Sequence, residues 1–165
     1  MSKKLDEILT KLKKFNFVGT NNNGSFHTSD NAKYSGDYTG KSIKRTQQIK
    51  SIFQDAKFDY AAITGSFFQE CEFLQCSMNK ADFEFCDFEK CDFDNNPFQD
   101  VSFNNSTFYN SSFNNSPFAS CTLTGVFFKE VFFSNSDITH CTLEGAIFEN
   151  CTFQNMNLIC FLGLF

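Results

Sequence analysis

Eight cysteines and two histidines are the side chains of this chain best suited to metal or nucleophile chemistry, and their spacing argues against both. Cys71, Cys76, Cys86, Cys91, Cys121, Cys141 and Cys151 are separated by multiples of five, with no C-x-x-C pair to bring two thiolates onto one zinc. His27 and His140 lie far apart, and neither recurs in a constellation. His140 adjoins Cys141, but the pattern described below points that thiol inward, where it is inert. The acids Glu70, Glu72, Asp82, Glu84, Asp87, Glu89, Asp92 and Asp94 crowd one stretch and form a candidate acidic patch. No nucleophile, base and orienting group recur at consistent spacing, so the chain reads as a non-enzyme with no catalytic, cofactor-binding or metal-ligating residue. Gly40-Lys41-Ser42 ends like a phosphate-binding loop, yet the first glycine of that loop would fall on Ser35.

The cysteine spacing is part of a larger rule. Every fifth residue is apolar from Phe53, Phe58, Ile63, Phe68, Phe73, Met78 and Phe83 through to Phe148, Phe153 and Leu158, without insertion or deletion. Two residues before each of these centres stands a small side chain, Ser, Ala, Cys or Val, with Asn96 and Met156 the exceptions. A period of five fits neither the 3.6 of a helix nor the 2 of a half-buried strand. It fits a chain that turns inward once per five residues, placing one large and one small side chain inside a narrow solenoid. In that setting cysteine acts as a small hydrophobe interchangeable with Ala and Ser. Unpaired interior thiols fit a reducing compartment, and the expected localisation is cytoplasmic.

Segments such as Ala81-Asp82-Phe83, Cys86-Asp87-Phe88 and Cys91-Asp92-Phe93 resemble the phrase of the pentapeptide-repeat proteins, and the resemblance covers residues 51–160. It implies an all-β solenoid, a right-handed four-sided β-helix with four pentapeptides per coil, hence about five and a half coils. At a strand spacing of ~4.8 Å the rod would be ~26 Å long. Residues twenty apart would then stack, giving one column of Phe68, Phe88, Phe108, Phe128 and Phe148 and a second from Phe53 to Phe153. The resemblance also implies a choice of roles. Some members inhibit or protect bacterial type II topoisomerases, DNA gyrase or topoisomerase IV, by presenting an acidic rod that mimics duplex DNA.

The rest of the chain divides into an N-terminal extension, 1–50, and an apolar end, 161–165. Leu5, Ile8, Leu9, Leu12 and Phe15 follow helical spacing and predict an amphipathic helix over 2–16, with Lys3, Lys4, Lys11, Lys13 and Lys14 on its other face. Residues 18–40, rich in Asn, Gly, Ser and Thr, read as irregular, and 41–50 as a helical turn or irregular coil. Residues 1–50 carry ten basic and four acidic side chains and 51–165 four and fifteen, so the overall −5 hides a +6 extension and a −11 rod. Such asymmetry favours contact between the two parts or with a partner. Neither a secretory leader nor a membrane span is expected.

Two apolar features stand out on a surface that should be polar. Phe127, Phe132 and Ile147 occupy the outward position before the centre and predict an exposed apolar patch, a protein interface. Phe161, Leu162, Leu164 and Phe165 predict either a cap on the last coil or an oligomer contact, in a twofold dimer or in end-to-end assembly. The favoured function is a non-catalytic interaction or scaffold protein with a protein partner and neither nucleic-acid nor membrane binding. The topoisomerase-binding acidic mimic is the alternative, and a self-assembling rod the second.

Overall fold

A computed structural model describes residues 29–160. These residues coil as a four-sided solenoid of parallel strands two or three residues long. The first face is a seven-stranded sheet of Ser29–Asp30, Gln47–Ile49, Phe67–Gln69, Asp87–Glu89, Thr107–Tyr109, Phe127–Lys129 and Ile147–Glu149. The second, also seven-stranded, runs from Lys33–Tyr34 through Glu72–Leu74, Asp92–Asp94 and Phe132–Ser134 to Thr152–Gln154. Phe98–Gln99, Phe118–Ala119, Ile138–Thr139 and Leu158–Ile159 form the third face, and Ser42–Lys44 with Ala62–Thr64 begin the fourth. Isolated bridges through Asp82, Ser102, Thr122 and Thr142 continue that fourth face.

The twenty-residue register is as expected: Phe68 pairs with Phe88, Phe88 with Phe108, Phe73 with Phe93 and Phe93 with Phe113. Each centre lies flat on the next. Phe88 and Phe108 stack at 4.7 Å with 4° between planes, and Phe73 and Phe93 at 4.7 Å with 6°. Neighbouring columns meet edge to face, as at Phe88 and Phe93, 5.5 Å apart and 69° inclined. The quadrupole of the ring favours offset stacking and edge-to-face contact, so a lattice of Phe can satisfy both within one thin core.

Turning the chain every five residues needs a backbone that bends at the corner. The residue two after each centre from Phe53 to Phe153 adopts the left-handed region, among them Asn95, Asn105, Asn110, Asn115, Asn135 and Asn155. Asparagine tolerates that region better than most L-residues. At Gly125 the reason for glycine is doubled: φ is +66°, and an added Cβ would meet Asn105 Oδ1 at 2.9 Å.

The small inward position does more than save space. At several corners its N–H points along the rod, and the small residue one coil on accepts it: Cys86 N–H donates to Ser106 Oγ at 2.9 Å, Cys91 N–H to Ser111 Oγ at 3.0 Å, and Ser116 N–H to Ser136 Oγ at 2.9 Å. The hydroxyl then donates onward, Ser106 Oγ to the Phe83 carbonyl at 2.6 Å. Cys86 Sγ makes the same contact to the Ile63 carbonyl at 2.9 Å, so cysteine here is a sulfur analogue of serine. Asn96, fully buried, is the longer version: it accepts from Cys76 N–H at 2.7 Å and donates from Nδ2 to the Phe73 carbonyl at 2.7 Å.

The coil starts earlier than the repeat suggests. Residues 29–50, expected to be irregular or a helical turn, supply strands to all but the third face, and the rod has about seven coils rather than five and a half. Ile43 and Gln48 serve as buried centres before Phe53, and Tyr38 and Tyr34 stack on Phe58 and Phe53. Gln48 is acceptable inside because its amide is satisfied: Nε2 donates to Thr46 Oγ1 at 3.1 Å, and Oε1 accepts from Ser29 Oγ at 2.6 Å and Ser51 Oγ at 3.3 Å. The first coil is also one residue short at its second corner, since Tyr34 pairs with Phe53 but Asp37 with Lys57. The expected helix over 2–16 and the expected contacts of Phe161, Leu162, Leu164 and Phe165 lie outside the described residues.

Candidate interaction surface

With every centre inward, a partner can meet only the outward strand positions, the corners and the ends. The acidic cluster, contiguous in sequence, is divided among three faces because a step of five residues moves to the next side. Asp87 and Glu89 lie on the first face, Glu72, Asp92 and Asp94 on the second, Asp82 and Glu84 on the fourth, and Glu70 sits at the corner after the first. The coil that follows supplies neutral side-chain donors to three of them. Ser112 Oγ donates to Asp92 at 2.6 Å, Asn114 Nδ2 to Asp94 at 2.9 Å, and Ser102 Oγ and Asn104 Nδ2 both to Glu84 Oε1 at 3.1 Å. The uncharged stretch from Val101 to Phe128 thus neutralises the hydrogen-bonding demand of the acids rather than extending their field. Glu70 faces Lys90 at 3.9 Å, an exposed pair of small worth.

Two carboxyls are held above their ordinary range. Burial raises Asp87 to about 6, partly opposed by the hydrogen bond from Thr107. Burial also raises Asp82, opposed by the backbone N–H of Glu84. Burial likewise lifts the Cys76 thiol to about 11 and Cys86 further, whereas hydrogen bonds with Cys91 and Cys121 lower Cys71 and Cys141. All eight cysteines are free, and Cys76 and Cys86 are buried where desolvation favours the thiol over the thiolate. Among the described residues no three His, Cys, Asp or Glu side chains gather where a metal ion would fit.

The expected apolar patch needs correction. Phe132 and Ile147 are 38% and 42% exposed, but Phe127 is only 3% exposed. It stands in the outward column between Thr107 and Ile147. Thr107 and Lys129 on the same face are buried as well. Lys129 donates to Glu149 at 2.7 Å across one coil, which raises its pKa.

The last described coil leaves apolar centres exposed. Phe153 and Leu158, inward centres by their phase, are 47% and 56% exposed, and Ile159 beside Leu158 is exposed too. Phe132 and Ile147 lie near this end, outward on the second and first faces, so exposed apolar side chains collect in the last described coils as an apolar step, with Thr152 beyond Phe132 in its column. Sequence reasoning missed a second exposed pair, Tyr60 and Phe85, both at left-handed corners, with Lys80 Nζ 5.6 Å above the Tyr60 ring. Their corner phase, two after a centre, was the available signal.

Two family models match, pentapeptide repeat region over residues 81–158 and pentapeptide repeats, in eight copies, over 51–95. The chain belongs to the pentapeptide-repeat family. Solved pentapeptide-repeat structures align along most of their length. A trypsin-treated form of QnrB1, a plasmid-mediated fluoroquinolone resistance protein, is 16% identical, covering 78% of this chain and 92% of its own, with a TM-score of 0.31. HetL, involved in heterocyst differentiation regulation in the cyanobacterium Nostoc, is 8% identical over 92% and 93%, with a TM-score of 0.28. A pentapeptide repeat protein from the cyanobacterium Cyanothece 51142 is 9% identical over 93% and 99%, with a TM-score of 0.33. No curated protein matches the chain.

Proposed function

We propose that this pentapeptide-repeat protein is a non-catalytic interaction scaffold that recruits a protein partner through the apolar step at its C-terminal end. The observation that carries the reading is the set of exposed apolar side chains there, Phe132, Ile147, Phe153, Leu158 and Ile159, at the end of a rod whose centres from Phe53 to Ile138 are buried. A concentration of exposed apolar side chains of this kind favours an interaction site. The partner is a protein of complementary apolar shape, a second copy of the chain included. The free interior cysteines suit a reducing compartment such as the cytoplasm.

The second reading is an acidic mimic of duplex DNA that binds a type II topoisomerase. The stacked carboxylates of Glu72 and Asp92, with Asp94 beside them on the second face, favour it. Duplex DNA carries one charge per ~1.7 Å, however, and here the next two coils of that face present Ser112, Asn114, Phe132 and Ser134.

Affinity capture from the source cells with three forms of the intact protein separates the readings. Phe132→Ser with Ile147→Ser should abolish capture of the partner, and Glu72→Gln with Asp92→Asn and Asp94→Asn should leave it unchanged. Loss of capture with the second variant only, together with salt-sensitive inhibition of gyrase supercoiling by the unaltered protein, would replace the scaffold reading with the mimic.

A further inference from the structure

Cysteine occupies two kinds of place in this rod. Seven of the eight thiols stand two residues before a centre, in the columns of small inward side chains. Where two of them stack, as Cys71 with Cys91 and Cys121 with Cys141, the chains run in register, so their Cβ atoms are held apart by the strand spacing of ~4.8 Å. A disulfide draws its Cβ atoms to about 3.5–4.5 Å, so neither stacked pair closes without moving a coil.

Cys160 is the eighth. By phase it belongs to the corner column of Tyr60, Lys80, Asp100, Ser120 and His140, all of them exposed. Cys160 is half-buried instead and packs against the core. Its Sγ lies 3.7 Å from the Ile138 carbonyl oxygen, and Cys141 Sγ lies 3.4 Å from the next carbonyl, that of Thr139. The register relates the two backbones: Thr139 pairs with Ile159, so Cys160 falls opposite His140, one residue short of Cys141. A strand spacing of ~4.8 Å and a rise of ~3.3 Å put the two Cα atoms ~5.8 Å apart on the diagonal. Disulfides prefer about 5.5–6 Å. The side chains meet as well, since a hydrogen bond between the two thiols acts on the titration of both.

We infer that Cys141 and Cys160 are a modification site, a thiol pair that a low-molecular-weight disulfide converts to a reversible protein disulfide, tying strand Leu158–Ile159 to the coil before it. The order of attack follows from access. Cys160 is the thiol that solvent reaches; its thiolate attacks the small disulfide, one small thiolate leaves, and a mixed disulfide remains. Cys141 is buried, and hydrogen bonding, chiefly with Cys121, lowers its pKa and favours the thiolate for the second step. That thiolate attacks the Cys160 sulfur and expels the second small thiolate. Each departing thiolate takes up the proton its attacker lost, so two protein thiols and one small disulfide give one protein disulfide and two small thiols. Excess small thiol reverses both steps, and the pair is then free. Leu158 and Ile159 belong to the apolar step, so the bond would restrain part of it. Control of recruitment in this way rests on the proposed function of that step, whereas the bond itself does not.

Glutathione disulfide is the probe. The full chain is incubated with it, remaining thiols are alkylated in denaturant, and cleavage after glutamate separates 131–144, which holds Cys141, from 150–165, which holds Cys151 and Cys160. The two peptides should be joined, lighter than their sum by two hydrogens, and parted by dithiothreitol. The junction should persist in Cys151→Ser and vanish in Cys160→Ser, with the far-ultraviolet circular dichroism of both variants unchanged. A junction that needs Cys151, a bond from 131–144 to the Cys121 peptide, or a glutathione adduct on Cys160 that goes no further would each overturn the inference. Full alkylation of Cys141 and Cys160 after exposure to the probe would do the same. The bond is read by mass alone, so its failure is distinct from a failure of partner capture.

Discussion

Replacing Asn96 by leucine keeps the volume of the side chain and removes both of its hydrogen bonds. The structure allows the cost to be worked out. Asn96 is fully buried, and its amide connects the coil before it at two points, accepting from Cys76 N–H and donating to the Phe73 carbonyl, both at 2.7 Å. Leucine would leave that N–H and that carbonyl buried without their side-chain partner, at about 1–3 kcal/mol each, so a loss of roughly 2–5 kcal/mol is expected after apolar burial gives a little back. Asn96→Ser is the matched control. Ser116 and Ser136 continue the same column and accept the N–H of the preceding coil in the same manner, so a serine at 96 should keep the Cys76 bond and cost about 1 kcal/mol. Urea unfolding followed by circular dichroism reads both variants, with an unchanged m-value showing that the same surface is exposed. The reasoning fails if Asn96→Leu is as stable as the unaltered protein or as Asn96→Ser. In that case the inward polar positions would be tolerated substitutions rather than links between coils.

Phe108→Ala removes a fully buried ring stacked on Phe88 at 4.7 Å and Phe128 at 5.1 Å and should cost about 3–5 kcal/mol in the same assay, whereas Phe153→Ala at the open end should cost less than half as much. Asp87 has its folded pKa raised to about 6, so its contribution to stability is complete below pH 4 and is lost as pH rises through 6. Asp87→Asn should therefore be stabilising at pH 7, by about 1–2 kcal/mol after allowance for residual solvent, and neutral at pH 4; a variant less stable at pH 7 than the unaltered protein would show the carboxylate to be favourably placed. Gly125→Ala meets Asn105 Oδ1 at 2.9 Å in a left-handed backbone and should lower stability by about 1 kcal/mol or more, while Gly40→Ala, with nothing within 4 Å, should lose less.

The columns were legible because the rule that builds them is local: an apolar residue every five positions from Phe53 to Leu158 has one geometric solution once four sides close a coil. The same arithmetic divides the acids, since only residues twenty apart share a side, so Glu84, Glu89 and Asp94 must fall on different faces despite their closeness in sequence. The start of the coil was hidden for two physical reasons. Gln48 occupies a centre with a polar side chain whose hydrogen bonds come from Ser29, Thr46 and Ser51, partners no periodicity reveals. The short corner before Asp37 then shifts Tyr34 out of phase. Phe127 shows a different limit. Its phase correctly gives an outward direction, but whether an outward residue is wet depends on what crosses the face, which is a tertiary fact. The left-handed corners were visible only as a preference for Asn and Gly, and two of the residues that break that preference, Tyr60 and Phe85, are exposed aromatics.

The claim that the C-terminal step is the recruiting surface is tested most directly by site-specific photo-cross-linking in the source cells. A benzophenone-bearing phenylalanine analogue is placed at Ile147 in one form of the protein and at Glu72 in another. Discrete adducts to one protein from position 147, and none from position 72, are the expected result. Adducts from position 72 with none from 147 would place the partner on the acidic second face and contradict the account.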